Sequence, residues 1–220
     1  MMATRVAGPR SPGTGPGYAA DMDSFFASMT PWPRNDGSLH VYALPDEALR
    51  DRLETVSVLL DDVAGLPRMP LSWLHFTVSR LAQFDDIGQA GLTALCDALT
   101  RELAGLSPVA VELGAPAPGP VGVTVEAPAS PGWDALVAAV RRAAAAVSDD
   151  PLPPAPHGPH VSLAYATAPV DDAVVVERLA GATPVGGFTI TGLHLVSVTV
   201  RPELGTFEWT ELASWDLPVG

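Results

Sequence analysis

Two four-residue strings, His75-Phe76-Thr77-Val78 and His160-Val161-Ser162-Leu163, repeat one pattern: histidine, apolar residue, hydroxyl residue, apolar residue. Side chains alternate between the two faces of an extended strand, so His75 and Thr77 point one way while Phe76 and Val78 point the other. His160 and Ser162 share the corresponding face of their own strand. Each strand needs a packed layer behind its apolar face. Side by side, the two would present two imidazoles and two hydroxyls to one space, which suits clamping a phosphate between two acid/base groups.

The surrounding pattern predicts how these strands are held. A first strand, Leu39 to Leu44, precedes an amphipathic helix from about Asp46 to Val63, with Leu49, Leu53, Val56, Leu60 and Val63 on one stripe. The first motif then falls on a strand from Trp73 to Ser79. A helix near Asp86 to Leu103 follows, then strands Val109 to Leu113 and Val121 to Glu126, separated by the turn-rich Gly114 to Pro120. Ser130 can cap the next helix, with Pro131 in its first turn and an end near Ser148. A proline-rich connector, Asp150 to Pro159, delivers the second motif strand. A short helix from about Asp171 to Ala180 stops at Gly181, and strands near Gly187 to Val200 and Thr206 to Leu212 finish the chain.

Each motif thus follows a helix and a proline-containing loop. The expected fold is α+β, with two pseudo-symmetric lobes, each an antiparallel sheet flanked by helices, and a central cleft carrying the two motif strands. Residues 1–36 read as an N-terminal tail, partly disordered, with Met1 to Gly17 rich in glycine and proline and one short helix expected within Asp21 to Met29. Residues 37–220 read as a single bilobal domain.

Charge narrows the function. The net charge of −13 opposes binding along extended polyanions, because nonspecific nucleic-acid affinity comes from many Lys or Arg contacts to phosphates. All 12 basic residues are arginine, and without lysine a covalent lysyl intermediate is excluded. The acidity is uneven, however. From Pro151 to Val170 there is no Asp, Glu, Arg or Lys, so a phosphate approaching His160 meets little repulsion from its sequence neighbours. The single cysteine, Cys96, lies on a helix beside Leu92, Leu99 and Leu103 and is expected to be a buried thiol. No apolar stretch is long enough to span a bilayer, and Met1 to Gly17 lacks the apolar segment of a signal peptide, so a cytoplasmic protein without a membrane partner is expected.

The paired strings His75-Phe76-Thr77-Val78 and His160-Val161-Ser162-Leu163 resemble the two-histidine phosphoesterase superfamily, which includes bacterial 2′-5′ RNA ligases and RNA 2′,3′-cyclic phosphodiesterases. The element order from about Leu39 to Leu212 is similar as well. The resemblance implies that the motif strands lie together in a cleft between lobes and that catalysis needs no metal or other cofactor. It also draws attention to the position five residues after each histidine, held here by Arg80 and Tyr165, which in the family lies near the nucleotide. Strict alternation turns both away from the motif face. Either the strands bend or bulge there, or Tyr165 is core and Arg80 surface.

The chemistry follows from the residue types. Opening a cyclic phosphodiester with water needs a base for the nucleophile's proton and an acid for the departing ribose oxygen. Histidine serves both roles near neutrality. His75 and His160 are the expected catalytic pair, and the sequence leaves open which is acid and which is base. Thr77 and Ser162 would bind the nonbridging phosphate oxygens. Arg80, Tyr165 and Tyr42 are candidate substrate-binding residues, Tyr42 by stacking on a base; Trp73 shares the parity of His75 and is placed at the cleft rim. His40, His157 and His194 read as structural, and no cluster has the ligand count of a zinc site. The paired acids, such as Asp61-Asp62 and Asp171-Asp172, read as helix ends and caps.

The expected activity is a metal-independent phosphodiesterase acting on 2′,3′-cyclic phosphates of RNA ends or nucleotides, with reversible 2′-5′ ligation secondary. The expected partner is a small nucleotide or an RNA terminus, with no extended nucleic-acid tract, bound by a monomer. The alternative is a nucleotide-binding module of the same fold without turnover.

Overall fold

Asp46 starts the first long helix: its carboxylate accepts the Leu49 N–H at 2.7 Å, satisfying one of the helix's open donors. Ser130 does the same for Trp133 at 3.2 Å, followed by Pro131 in the first turn, and Asp171 does it for Ala173 at 2.8 Å. These local signals divide the chain, whose computed structural model describes residues 21–29 and 34–218. The stretch 1–17 lies outside the described residues.

In chain order the elements are α1 (Phe25–Ser28), β1 (Ser38–Ala43), α2 (Glu47–Ser57), β2 (Phe76–Gln83), α3 (Phe84–Leu103), β3 (Val109–Leu113), β4 (Ala117–Gly119) and β5 (Gly122–Glu126). Then come α4 (Pro131–Ala145), β6 (His160–Tyr165), α5 (Asp172–Arg178), β7 (Gly186–Ile190), β8 (Gly192–Arg201) and β9 (Thr206–Asp216). The result is a mixed α/β fold built on a large antiparallel sheet flanked by helices. Seven strands run in the order β4-β5-β6-β2-β1-β8-β9, and β3 pairs with β7 in a separate two-stranded sheet.

The two motif strands are neighbours in this sheet, yet β2 and β6 are joined through one residue pair, Phe76 with Val161. The sheet therefore has two well-laddered halves, β9-β8-β1-β2 and β6-β5-β4, that meet at the motifs. β8 and β9 follow the second motif in sequence but extend the sheet beside β1, on the first motif's side. The halves of the sheet are thus not the halves of the chain. Phe76, Val78, Val161 and Leu163 are all closed to solvent, and Phe76 stacks on Phe188 of β7 with centroids 5.6 Å apart. Burying each such side chain contributes about 1.5–3 kcal/mol, which fixes the register that turns the histidines outward. The helix α4, with α3 beside it, packs against β2.

Several boundaries differ from the sequence pattern for local reasons. The helix expected to reach Val63 ends at Ser57 and tightens into a 3₁₀ turn over Val58–Leu60, before Asp62 takes a positive φ of 62°. Pro70 starts another 3₁₀ turn, Leu71–Trp73, so the motif strand begins at Phe76 with His75 at its threshold. The stretch Gly187 to Val200 breaks at Thr191 into β7 and β8, which serve different sheets. Cys96 is half-buried. Among the described residues no helix is long and apolar enough to cross a membrane.

Part of the region assigned to the tail packs on the domain. Met22 is buried and exchanges backbone hydrogen bonds with Val170 at 2.8 and 2.9 Å, and the Phe25 N–H donates to the Ala166 carbonyl at 2.8 Å. The β8–β9 turn folds against the same region. Gly205 has a φ of 69°, and a Cβ there would stand 2.6 Å from Pro67 and 2.9 Å from Thr167.

Candidate active site

Both motif strands carry a bulge at the same place. Along β1 and β2, Tyr42 faces Thr77 but Val41 faces Ser79, leaving Val78 as an extra residue. Along β5 and β6, Thr124 faces Ser162 but Val123 faces Ala164, leaving Leu163 extra. A bulge resets the alternation of faces. His40 and Tyr42 share one face of β1, and their partners are Arg80 and Thr77; Gly122 and Thr124 share one face of β5, and their partners are Tyr165 and Ser162. Arg80 and Tyr165 therefore join the motif face. Of the two readings open from the sequence, the structure takes the bulge.

The histidines are fixed in matching ways. Nδ1 of His75 donates to the Trp73 carbonyl at 2.7 Å, and Nδ1 of His160 donates to the Gly158 carbonyl at 3.1 Å. A carbonyl oxygen only accepts, so Nδ1 carries the hydrogen in each ring, and Nε2 is left as the atom that gains or loses a proton.

Their surroundings differ. His160 is half-buried, whereas His75 is 9% exposed and lies flat on Tyr42, with ring centroids 3.9 Å apart and planes 14° from parallel. Burial lowers the pKa of His75 to about 4; the Trp73 carbonyl acts in the opposite direction, and the neighbouring His160 adds to the depression. Behind Tyr42, the buried His40 ring meets the Tyr42 hydroxyl through Nδ1 at 3.0 Å and the Ser38 hydroxyl through Nε2 at 3.2 Å. Burial holds its pKa well below the ordinary value, with His75 and Arg80 acting in the same direction.

A cavity of about 660 Å³ opens over this face. Thr77, Arg80, His160, Ser162 and Tyr165 all line it; His75 and Tyr42 do not. Burial raises the pKa of the Tyr165 phenol, and the Ser162 side chain acts in the opposite direction. The structure corrects the expectation for Tyr42. At 1% exposed, with its ring covered by His75, it has no face to offer a base and instead supports the histidine. Trp73 also stays out of the lining and packs edge-on against Trp209 at 5.5 Å.

Among the cavity residues that sequence reasoning missed are Glu126, Phe25 and His157. Glu126 stands opposite His160 on β5 and accepts a hydrogen bond from Thr124 at 3.0 Å. Phe25 enters from α1, and His157 from the proline-rich connector. The last had a signal in its closeness to His160, whereas the first two depend on pairings distant in sequence. Among the described residues no three His, Cys, Asp or Glu side chains are grouped as metal ligands.

Comparison with known proteins gives a family and a fold. Residues 45–201, a span containing both motifs, match the family described as the 2′-5′ RNA ligase superfamily. In fold, the chain is similar to E. coli LigT complexed with NADP+, with a TM-score of 0.60 and 16% identity over 83% of this chain and 98% of that one. The same protein complexed with 3′-AMP gives 0.58 and 16% over the same shares. TT0787 of Thermus thermophilus gives 0.61 and 21%, over 82% of this chain and 97% of that one. No curated protein matches the chain in sequence.

Proposed function

The chain belongs to the 2′-5′ RNA ligase superfamily, and from that premise we propose that it hydrolyses 2′,3′-cyclic phosphates of RNA ends or nucleotides without a metal. The observation that carries this reading is the pair of histidines on adjacent strands, each with Nδ1 tied to the carbonyl two residues earlier and each followed by a hydroxyl residue. LigT has been crystallised with 3′-AMP, ATP and NADP+, which supports a nucleotide-sized ligand for a cleft of this fold.

In the proposed reaction Nε2 of His75, kept neutral by burial, takes a proton from water as its oxygen bonds to phosphorus. The bond from phosphorus to one ribose oxygen breaks, and Nε2 of His160 gives that oxygen its proton. The product is a ribose monophosphate with one free hydroxyl. Thr77 and Ser162 donate to the nonbridging oxygens, and the Arg80 guanidinium offsets the charge that builds on them. With a ribonucleoside 5′-hydroxyl in place of water, the same steps form a phosphodiester, which accounts for ligase activity as the reverse of cleavage.

The near-closure of His75 favours one other reading, a nucleotide-binding module without turnover. Incubation with 2′,3′-cyclic nucleotides in excess EDTA, with identification of the product, separates the two. Hydrolysis by the wild type that is lost in His75→Ala and His160→Ala supports the enzyme. Binding without hydrolysis supports the module, and hydrolysis that survives both substitutions rules out the assigned mechanism.

A further inference from the structure

The cavity that His160 lines has one guanidinium, Arg80, and one carboxylate, Glu126, among its described lining residues. The one guanidinium can pair with a single phosphate. The lining also includes the apolar Val121, Pro120, Pro154 and Pro156, and Phe25 joins it from α1.

Phe25 is held from several sides. Its N–H donates to the Ala166 carbonyl at 2.8 Å, and Ser24 caps its short helix. Its ring lies 4.6 Å from Tyr165, 5.1 Å from Phe26 and 5.7 Å from Phe207. It is nevertheless only half-buried and contributes to the cavity wall. A fixed aromatic ring next to a one-phosphate site offers its partner a flat, uncharged contact.

We propose that Phe25 is a substrate-binding residue, the platform on which the nucleobase attached to the bound phosphate stacks. Substrate selection then rests on the base next to the phosphate, in keeping with a chain whose net charge is −13. This inference relies on the cleft being a nucleotide phosphate site, the first part of the function proposed above, and not on turnover.

Calorimetric titration tests it with two monoesters, 3′-AMP and the base-free glycerol 2-phosphate. The wild type should bind 3′-AMP about 5- to 150-fold more tightly, the range expected for one base on one aromatic ring. Phe25→Leu should lose most of that difference, and Phe25→Trp should keep it. Equal binding of the two ligands by the wild type overturns the proposal whatever the variants do, as does an undiminished preference in a folded Phe25→Leu protein. A base preference in a protein that hydrolyses no cyclic nucleotide leaves the platform standing and removes the phosphodiesterase reading. Hydrolysis with no base preference does the reverse.

Discussion

Tyr42 lies flat against His75 at 3.9 Å while its hydroxyl meets the buried His40, so one tyrosine joins a candidate catalytic histidine to a second imidazole behind it. If His75 is the base, it becomes an imidazolium in a nearly dry place during turnover. An aromatic face stabilises a cation there by about 0.5–2 kcal/mol, a gain absent while the ring is neutral. The stack therefore acts in the transition state more than in the ground state. We expect Tyr42→Leu to lower kcat by about 3- to 30-fold with little change in KM. Tyr42→Phe keeps the stack and should keep most of kcat, while leaving His40 without one partner and costing about 1–3 kcal/mol of stability. Steady-state kinetics and urea denaturation of both variants check the two halves of this expectation.

The depressed pKa of His75 also links stability to pH. Between about pH 4 and 6.5 the unfolded chain holds a proton at this position that the folded chain does not. Unfolding free energy therefore rises with pH through that window, by on the order of 3 kcal/mol at most, and this contribution is complete above it. Below about pH 4 both states are protonated and His75 adds no further loss. His40, also depressed by burial, works in the same direction. Urea denaturation across the window should give a clear slope in the wild type and a smaller one in His75→Gln. An unchanged slope in that variant would assign the effect elsewhere.

How much of this site was legible beforehand follows from where each signal resides. The caps Asp46, Ser130 and Asp171 act on their own helices, so a short window of sequence reveals them. The inward burial of Phe76, Val78, Val161 and Leu163 follows from alternation alone. The bulges at Val78 and Leu163 do not, because an extra residue exists only relative to the strand opposite. The parity of His40 and Tyr42 was readable, but the stack on His75 depends on the register of β1 against β2. Phe25 was invisible for a related reason: it precedes every strand, and its aromatic partners include Tyr165 and Phe207 from strands far along the chain.

Arg80 reaches the motif face only because of the first bulge, and it is the one guanidinium lining the cavity among the described residues. Losing one preorganised donor to developing phosphate charge costs about 100-fold or more. We expect Arg80→Gln to lower kcat/KM on a 2′,3′-cyclic nucleotide by about that factor. Arg80→Lys should recover only part, since an ammonium supplies charge without the guanidinium's fork of donors. One cation also limits the response to salt. The logarithm of kcat/KM for a short RNA ending in a cyclic phosphate should fall with the logarithm of salt concentration at a slope of about −1 or shallower.

The unequal surroundings of His75 and His160 yield a test of which is base and which is acid. His75, buried and neutral, is suited to take the proton from water; His160, half-buried opposite Glu126, would then give a proton to the leaving oxygen. On a cyclic nucleotide the leaving group is a ribose alkoxide, which needs that proton. His75→Asn and His160→Asn should therefore each lower kcat by about 10²–10⁴-fold, and the double substitution by far less than the product, because the two act as a unit. A diester with a stable leaving anion, such as a nitrophenyl phosphodiester, needs no acid but still needs a base. On that substrate His160→Asn should retain much of the wild-type rate while His75→Asn remains impaired. The opposite pattern would exchange the roles, and equal loss in both variants would mean that His160 does more than protonate the leaving group. A rate profile on the cyclic nucleotide adds an independent check. If His75 is the base, the acid limb of kcat/KM, which reports the free enzyme, should lie below the ordinary histidine value of 6.5.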